Sequence, residues 1–146
     1  MNVEKDYEDL LRLFNKHKVK YCIIGAYAVA FYARPRYTKD IDILIEASLD
    51  NGKRIVDALN EFGFKSLCLT AKDFTKEKQI IQLGYEPVRI DILTSISGFT
   101  FQKIWKNKKS GSYGRQKVYF IGLEDLMKSK RKSKRKQDQV DLDLLR

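Results

Sequence analysis

The chain has 146 residues, 43% of them apolar, and a formal net charge of +10 from 29 basic and 19 acidic side chains. That size predicts a single domain over 1–146 with a core of its own. No run of about 18 apolar residues is present to span a membrane, and the acidic start MNVEKDYEDL is no signal peptide, which predicts a cytoplasmic protein with no membrane partner.

One histidine and the lack of a Cys-x-x-Cys pair argue against a zinc site. Cys22 and Cys68 both fall in apolar, strand-like runs and are expected to be buried free thiols. The charge is uneven. Residues 1–102 carry 15 basic and 14 acidic side chains, residues 103–136 carry 13 and 2, and residues 137–146 carry one Arg and three Asp. A positive field confined to the last third points to a polyanion such as RNA, DNA or a nucleotide, or else to a solvated face.

In chain order, residues 3–18 have Tyr7, Leu10, Leu11 and Phe14 at helical spacing, with His17 in the last turn where a cation suits the helix dipole. KYCIIGA (20–26) reads as a buried strand ending at Gly25, and YAVAFYAR (27–34) as a short buried helix stopped by Pro35. Residues 39–46 alternate as a strand, with Ile41, Ile43 and Ile45 on one face and Asp40, Asp42, Leu44 and Glu46 on the other.

Residues 48–64 form a helix with Ile55, Val56, Leu59 and Phe62 inward, closed at Gly63. SLCLT (66–70) is a further strand, and 78–84 and 87–94 are two more across a turn at Tyr85-Glu86, with Pro87 at a strand start. A short helix over 98–107 bears Phe101, Ile104 and Trp105. KKSGSYGRQ (108–116) is a flexible basic loop, 117–122 a last strand, and 123–146 helical with a break near 131–136. The order α-β-α-β-α-β-β-β-α-β-α predicts an α/β (α+β) domain, a small mixed sheet with helices packed on it.

Two acids one residue apart on an isoleucine-rich strand are either a wet edge or a metal site. A third, Asp91, sits in the nearly identical setting of RIDIL. Buried carboxylates need a cation or a hydrogen-bonded partner, and Mg²⁺ takes carboxylate oxygens while leaving room for substrate phosphates. Two such ions can activate an attacking oxygen and stabilise a leaving one. Gly25, between a strand and a helix, provides a turn whose backbone N–H groups can face an anion.

IIGAYAVAFYARPRYTKDIDILIE followed by RIDIL resembles the nucleotidyltransferase fold of the DNA polymerase β-like superfamily, and most closely its small prokaryotic, toxin–antitoxin-associated members. The likeness falls on Gly25, Arg36, Thr38, Asp40, Asp42 and Asp91, and continues through Lys130, Arg135, Asp138 and Asp141. The resemblance implies a nucleotidyltransferase that uses an NTP and two Mg²⁺ ions. Asp40, Asp42 and Asp91 would be the catalytic and metal-binding acids. Gly25, Ala26, Arg36, Thr38 and Lys130 would contact the nucleotide.

The acceptor hydroxyl would lie on tRNA or another RNA, or on a partner protein such as a cognate toxin or antitoxin. A small antibiotic acceptor is the alternative, as is an inactive nucleic-acid- or partner-binding protein on the same fold. Ala26 departs from the Gly-Gly or Gly-Ser pair of the family and donates no hydroxyl. Continuing the apolar face of Leu123, Leu126 and Met127 turns Lys130, Lys134 and Asp141 inward, which either a site or a broken helix explains. Lys106, Lys108, Lys109, Arg115, Lys128, Arg131, Lys132 and Arg135 are candidate phosphate contacts.

Overall fold

The computed structural model describes residues 3–34, 40–85 and 88–146. The first helix, α1 (Lys5–Lys16), buries Tyr7, Leu10, Leu11, Leu13 and Phe14 along one stripe and carries Asp6 and Glu8 in its first turn. Strand β1 (Tyr21–Ile24) is buried throughout and passes directly into α2 (Gly25–Tyr32). Strand β2 (Asp40–Ile45) follows.

Helix α3 (Leu49–Leu59) is capped by the Ser48 side chain, which accepts from the Asn51 N–H. It runs on into a wide turn, Asn60–Phe64, where Gly63 at φ +123° ends the helical path as expected. Strands β3 (Ile80–Tyr85) and β4 (Val88–Leu93) form an antiparallel pair. Helix α4 (Phe101–Lys106) precedes a second hairpin of β5 (Lys109–Tyr113) and β6 (Gln116–Phe120), and α5 (Leu123–Lys132) and α6 (Lys136–Leu145) complete the fold.

Among the described residues, six strands join one mixed sheet in the order β3-β4-β2-β1-β6-β5. Strands β2 and β4 run parallel, as do β1 and β6, while β1 and β2 are antiparallel. Ile41, Ile43, Ile45, Ile90 and Ile92 are all buried, and each removes roughly 1.5–3 kcal/mol of apolar exposure from water. Because alternate residues face opposite ways, this buried isoleucine face fixes the register and leaves the aspartates together on the other face.

Two expectations fail. Residues 66–70 are not a strand. Lys65–Leu67 make a single 3-10 turn, Cys68 adopts a left-handed φ of +52°, and a second 3-10 turn over Ala71–Phe74 is closed by a reciprocal Thr70–Asp73 capping box. That Thr-x-x-Asp signal was available in the sequence. Cys68 is accordingly exposed, whereas Cys22 is buried as expected.

Residues 108–116 are not a loop either. They supply β5 and the turn at Gly114, φ +60°. The segment KKSGSYGRQ lacks β-branched residues, and packing decides its conformation instead. A β-carbon at Gly111 would lie 2.6 Å from the Phe31 ring, so glycine lets the stacked Phe31 and Phe120 rings lie against the strand. The predicted break in the C-terminal helix is present at Ser133–Arg135. His17 caps the C-terminal end of α1 and lies 3.1 Å from Glu61 at the surface. Among the described residues, no helix is long and apolar enough to cross a membrane.

Candidate active site

The candidate acids meet where β1 ends and β2 and β4 begin. Ile24 pairs with Asp42 across β1 and β2, and Asp42 pairs with Asp91 across β2 and β4, which places Asp42 and Asp91 side by side on one face. Neighbouring strands lie about 4.8 Å apart, so the two carboxylates are held within each other's field. Asp40 is two residues from Asp42 on the same face, and its own register partner is Arg89.

Gly25 lies directly over this pair. Its φ is +69°, and a β-carbon there would collide with the Asp42 carboxylate. Both observations require glycine, the first for backbone conformation and the second for space. Ala26, the departure from the family pattern, is the second residue of α2 and half-buried.

Arg89, which the sequence reading did not single out, organises the acids. Its Nε and Nη2 reach the Asp91 carboxylate at 3.2 and 2.8 Å, a bidentate fork, and Nη2 lies 3.5 Å from Asp40. Tyr7 anchors the arginine from α1. Its hydroxyl donates to the Arg89 carbonyl at 2.8 Å and accepts from the Arg89 N–H at 3.1 Å. The Val-Arg-Ile-Asp alternation puts Arg89 on the aspartate face, a signal the sequence did carry; nothing in it pointed to Tyr7.

Burial, and then the charges of Asp91 and Asp40, push the Asp42 carboxyl up from its ordinary value to about 6, against the opposing pull of Arg89 and Lys130. The donor set is all hard oxygen, crowded and partly desolvated, which suits a hard divalent cation such as Mg²⁺. Among the described residues, no three such side chains are gathered into a ready-made metal cluster; the Arg89 fork draws the Asp91 carboxylate to itself.

Lys130 approaches from α5. Its ammonium is 2.8 Å from Asp138 and 3.1 Å from Asp141, both on α6 and both buried. Ser133, in the break between the helices, bonds Asp138, and Gln137 bonds Asp141 at 2.8 Å. Burial pushes the Asp138 carboxyl up, but the Lys130 and Ser133 hydrogen bonds outweigh it and hold it below the usual range. The helix break, one of the two readings of an inward Lys130, is present: it folds α6 back so that its aspartates hold the lysine.

Arg36 and Thr38 lie outside the described residues. The basic candidates are dispersed. Lys106, Lys109, Arg115, Lys128, Arg131 and Arg135 are exposed on three elements and two connecting turns. Lys132 lies 5.0 Å from the Phe99 ring and Lys108 lies 3.9 Å over the Trp105 ring.

Solved structures share this architecture. A lincosamide antibiotic adenylyltransferase, LnuA, solved with lincomycin bound, is 19% identical, with a TM-score of 0.59 over 99% of this chain and 98% of its own. An antigenic nucleotidyltransferase-like protein from Paracoccidioides brasiliensis is 12% identical, with a TM-score of 0.55 over 96% of this chain and 72% of its own. At such identities these likenesses establish the fold alone. No curated protein matches the chain. The model of the family described as "Nucleotidyl transferase of unknown function (DUF2204)" matches residues 3–146, and with that match over nearly the whole length the chain belongs to this nucleotidyltransferase family.

Proposed function

We propose that the whole chain works as one nucleotidyltransferase domain that moves a nucleoside monophosphate from an NTP to an acceptor hydroxyl on RNA, with Asp40, Asp42 and Asp91 as its acids. The observation that carries this reading is the in-register Asp42–Asp91 pair, with Gly25 packed on Asp42 and the Asp42 carboxyl pushed up by burial and its neighbouring acids. Asp40, Asp42 and Asp91 would hold Mg²⁺, which when bound supplies positive charge and screens the triphosphate.

The chain's own residues do the rest. Gly25 puts no side chain over Asp42, so that a phosphate can approach the start of α2. The acceptor oxygen attacks the α-phosphorus, its proton passes to the Asp42–Asp91 pair, and the bond from the α-phosphorus to the bridging oxygen breaks to release pyrophosphate. Lys130 is fixed by Asp138 and Asp141 and adds positive potential at Asp42. Arg36, Thr38 and the start of α2 at Ala26 complete the proposed nucleotide contacts. Positioning and electrostatics supply the rate enhancement. A toxin–antitoxin setting, with tRNA or a partner protein as acceptor, is the biological form of this reading.

A small-molecule acceptor is the second reading. The observation favouring it is the near complete mutual coverage with a lincosamide adenylyltransferase. The basic surface opposes it, because such acceptors are often cationic. Incubation with each labelled NTP and Mg²⁺, in the presence of total tRNA or of lincomycin, separates the two. Label on RNA that disappears in Asp42→Asn supports the first reading. Label on the drug alone supports the second, and no label on either, despite tight NTP binding, rejects both.

A further inference from the structure

Four basic side chains converge at the end of the sheet away from the acids. Lys20 precedes β1, whose first residue Tyr21 pairs with Ile45, whereas Gly25 follows its last. The strand therefore separates the two ends by about 10 Å at roughly 3.3 Å per residue. Here a cleft of about 490 Å³ is lined by Lys18, Lys20, Arg54, Lys117, Trp105 and Tyr119. These positions are scattered through the chain, and three of the four cations come from the segment whose charge is near balance. Folding brings the positive field together; composition does not.

The convergence is specific in its details. Lys18 adopts φ +58°, uncommon for a residue with a side chain, and its carbonyl accepts from Arg54 Nη1 at 3.5 Å, which holds the guanidinium at the rim. Among the described residues, Lys20 alone of the four is ion-paired, with Glu46 at 3.8 Å. Like charges gathered around a cleft without matching acids repel one another unless an anion enters.

The opposite wall is aromatic. Trp105 and Tyr119 meet edge to face at 5.3 Å, and the Lys108 ammonium lies 3.9 Å from the Trp105 centroid and 5.3 Å from that of Tyr119, adding a fifth cation. A cationic rim beside an aromatic wall fits a phosphate joined to a flat ring, which is the repeating unit of a polynucleotide. Cations spread over α1's exit, α3 and β6 can neutralise more than one phosphate, which favours a strand over a free mononucleotide.

We infer that this cleft seats nucleotide units of single-stranded RNA, apart from the acids. The inference does not depend on the transfer reaction. Trp105 is the only tryptophan in the chain, so its fluorescence reports on the cleft. The test titrates the full chain with a labelled single-stranded RNA of about 12 nucleotides, following anisotropy and Trp105 emission together. The variant is Lys18→Glu/Arg54→Glu/Lys117→Glu, all at exposed positions; a thermal melt verifies folding.

The expected result is saturable quenching of Trp105 with wild type and an affinity at least tenfold weaker in the triple variant. The slope of log affinity against log salt should be shallower by about 2, the loss of three single-strand phosphate contacts. Undiminished binding by the triple variant would overturn the inference. So would AMP quenching Trp105 at the same concentrations as the strand, or inorganic polyphosphate equalling RNA in affinity with no change in Trp105.

Discussion

Two clusters of buried acid sit within reach of one another, and they have opposite balances. Around Lys130, two carboxylates share one ammonium and also accept from Ser133 and Gln137, and Asp138 is held ionised. Around Arg89, the guanidinium forks onto Asp91 and lies 3.5 Å from Asp40, and Asp42 is pushed to about 6. In the first cluster the carboxylate is stabilised by its protein partners, as expected of a device that positions a side chain. In the second, burial and neighbouring acids keep a carboxyl raised, as expected of a place where a cation and its phosphates bind.

The contrast is broken or sharpened most strongly at Asp42. Asp42→Asn is expected to abolish transfer while making the protein more stable. The sign follows from the raised pKa. Wild type holds its extra proton tightly between about pH 4 and 6, so stability falls as pH rises through that window, and the full penalty is present above it. Asparagine removes the penalty. The variant should melt higher than wild type at pH 7.5, by on the order of 2 kcal/mol, and equal to it near pH 4. A variant less stable than wild type at pH 7.5 would mean that Asp42 is already satisfied.

Lys130→Met should do the reverse. It leaves Asp138 and Asp141 buried without their ammonium, a loss of about 3–5 kcal/mol at neutral pH. Urea unfolding measures it. A loss under 1 kcal/mol would remove the distinction between the two clusters.

Gly25→Ala tests whether the space above Asp42 is needed. The positive φ and the collision with the carboxylate both oppose a methyl group, for a loss of about 1–3 kcal/mol. Mg²⁺-dependent thermal stabilisation in the presence of NTP should weaken along with it. Retained stabilisation would show that phosphates do not approach over Gly25.

How much of this was legible in the sequence follows from what each feature depends on. Asp42 and Asp91 were readable because strand alternation is local, and both sit in the same isoleucine setting. Lys130 was readable from the 100° helical step, although its partners across the break were not. Cys68 and the 108–116 segment depart from what their apolar or basic content suggests, because content does not fix conformation. In both places tertiary packing or a capping box decides instead, at Gly111 and at Thr70–Asp73. The Lys18–Arg54–Lys117 convergence was invisible, because it depends on sheet order, which a single chain does not display.

Tyr7 belongs with the invisible features and yields the smallest of the expected effects. Its hydroxyl is 82 residues from Arg89 in sequence and satisfies both the N–H and the carbonyl of that residue. Tyr7→Phe keeps the ring, which packs edge-on against Tyr27 at 5.8 Å, and removes only the oxygen. Two backbone groups then lose a partner in a part-buried place, a loss of about 1–2 kcal/mol. Amide hydrogen exchange gives a sharper reading than a melt. The Arg89 N–H should exchange faster in Tyr7→Phe, while those of Ile41 and Ile43, held by the isoleucine face, should change only by the global loss. If Arg89 shifts no more than they do, α1 does not hold the arginine, and its position between Asp40 and Asp91 is set by the carboxylates alone.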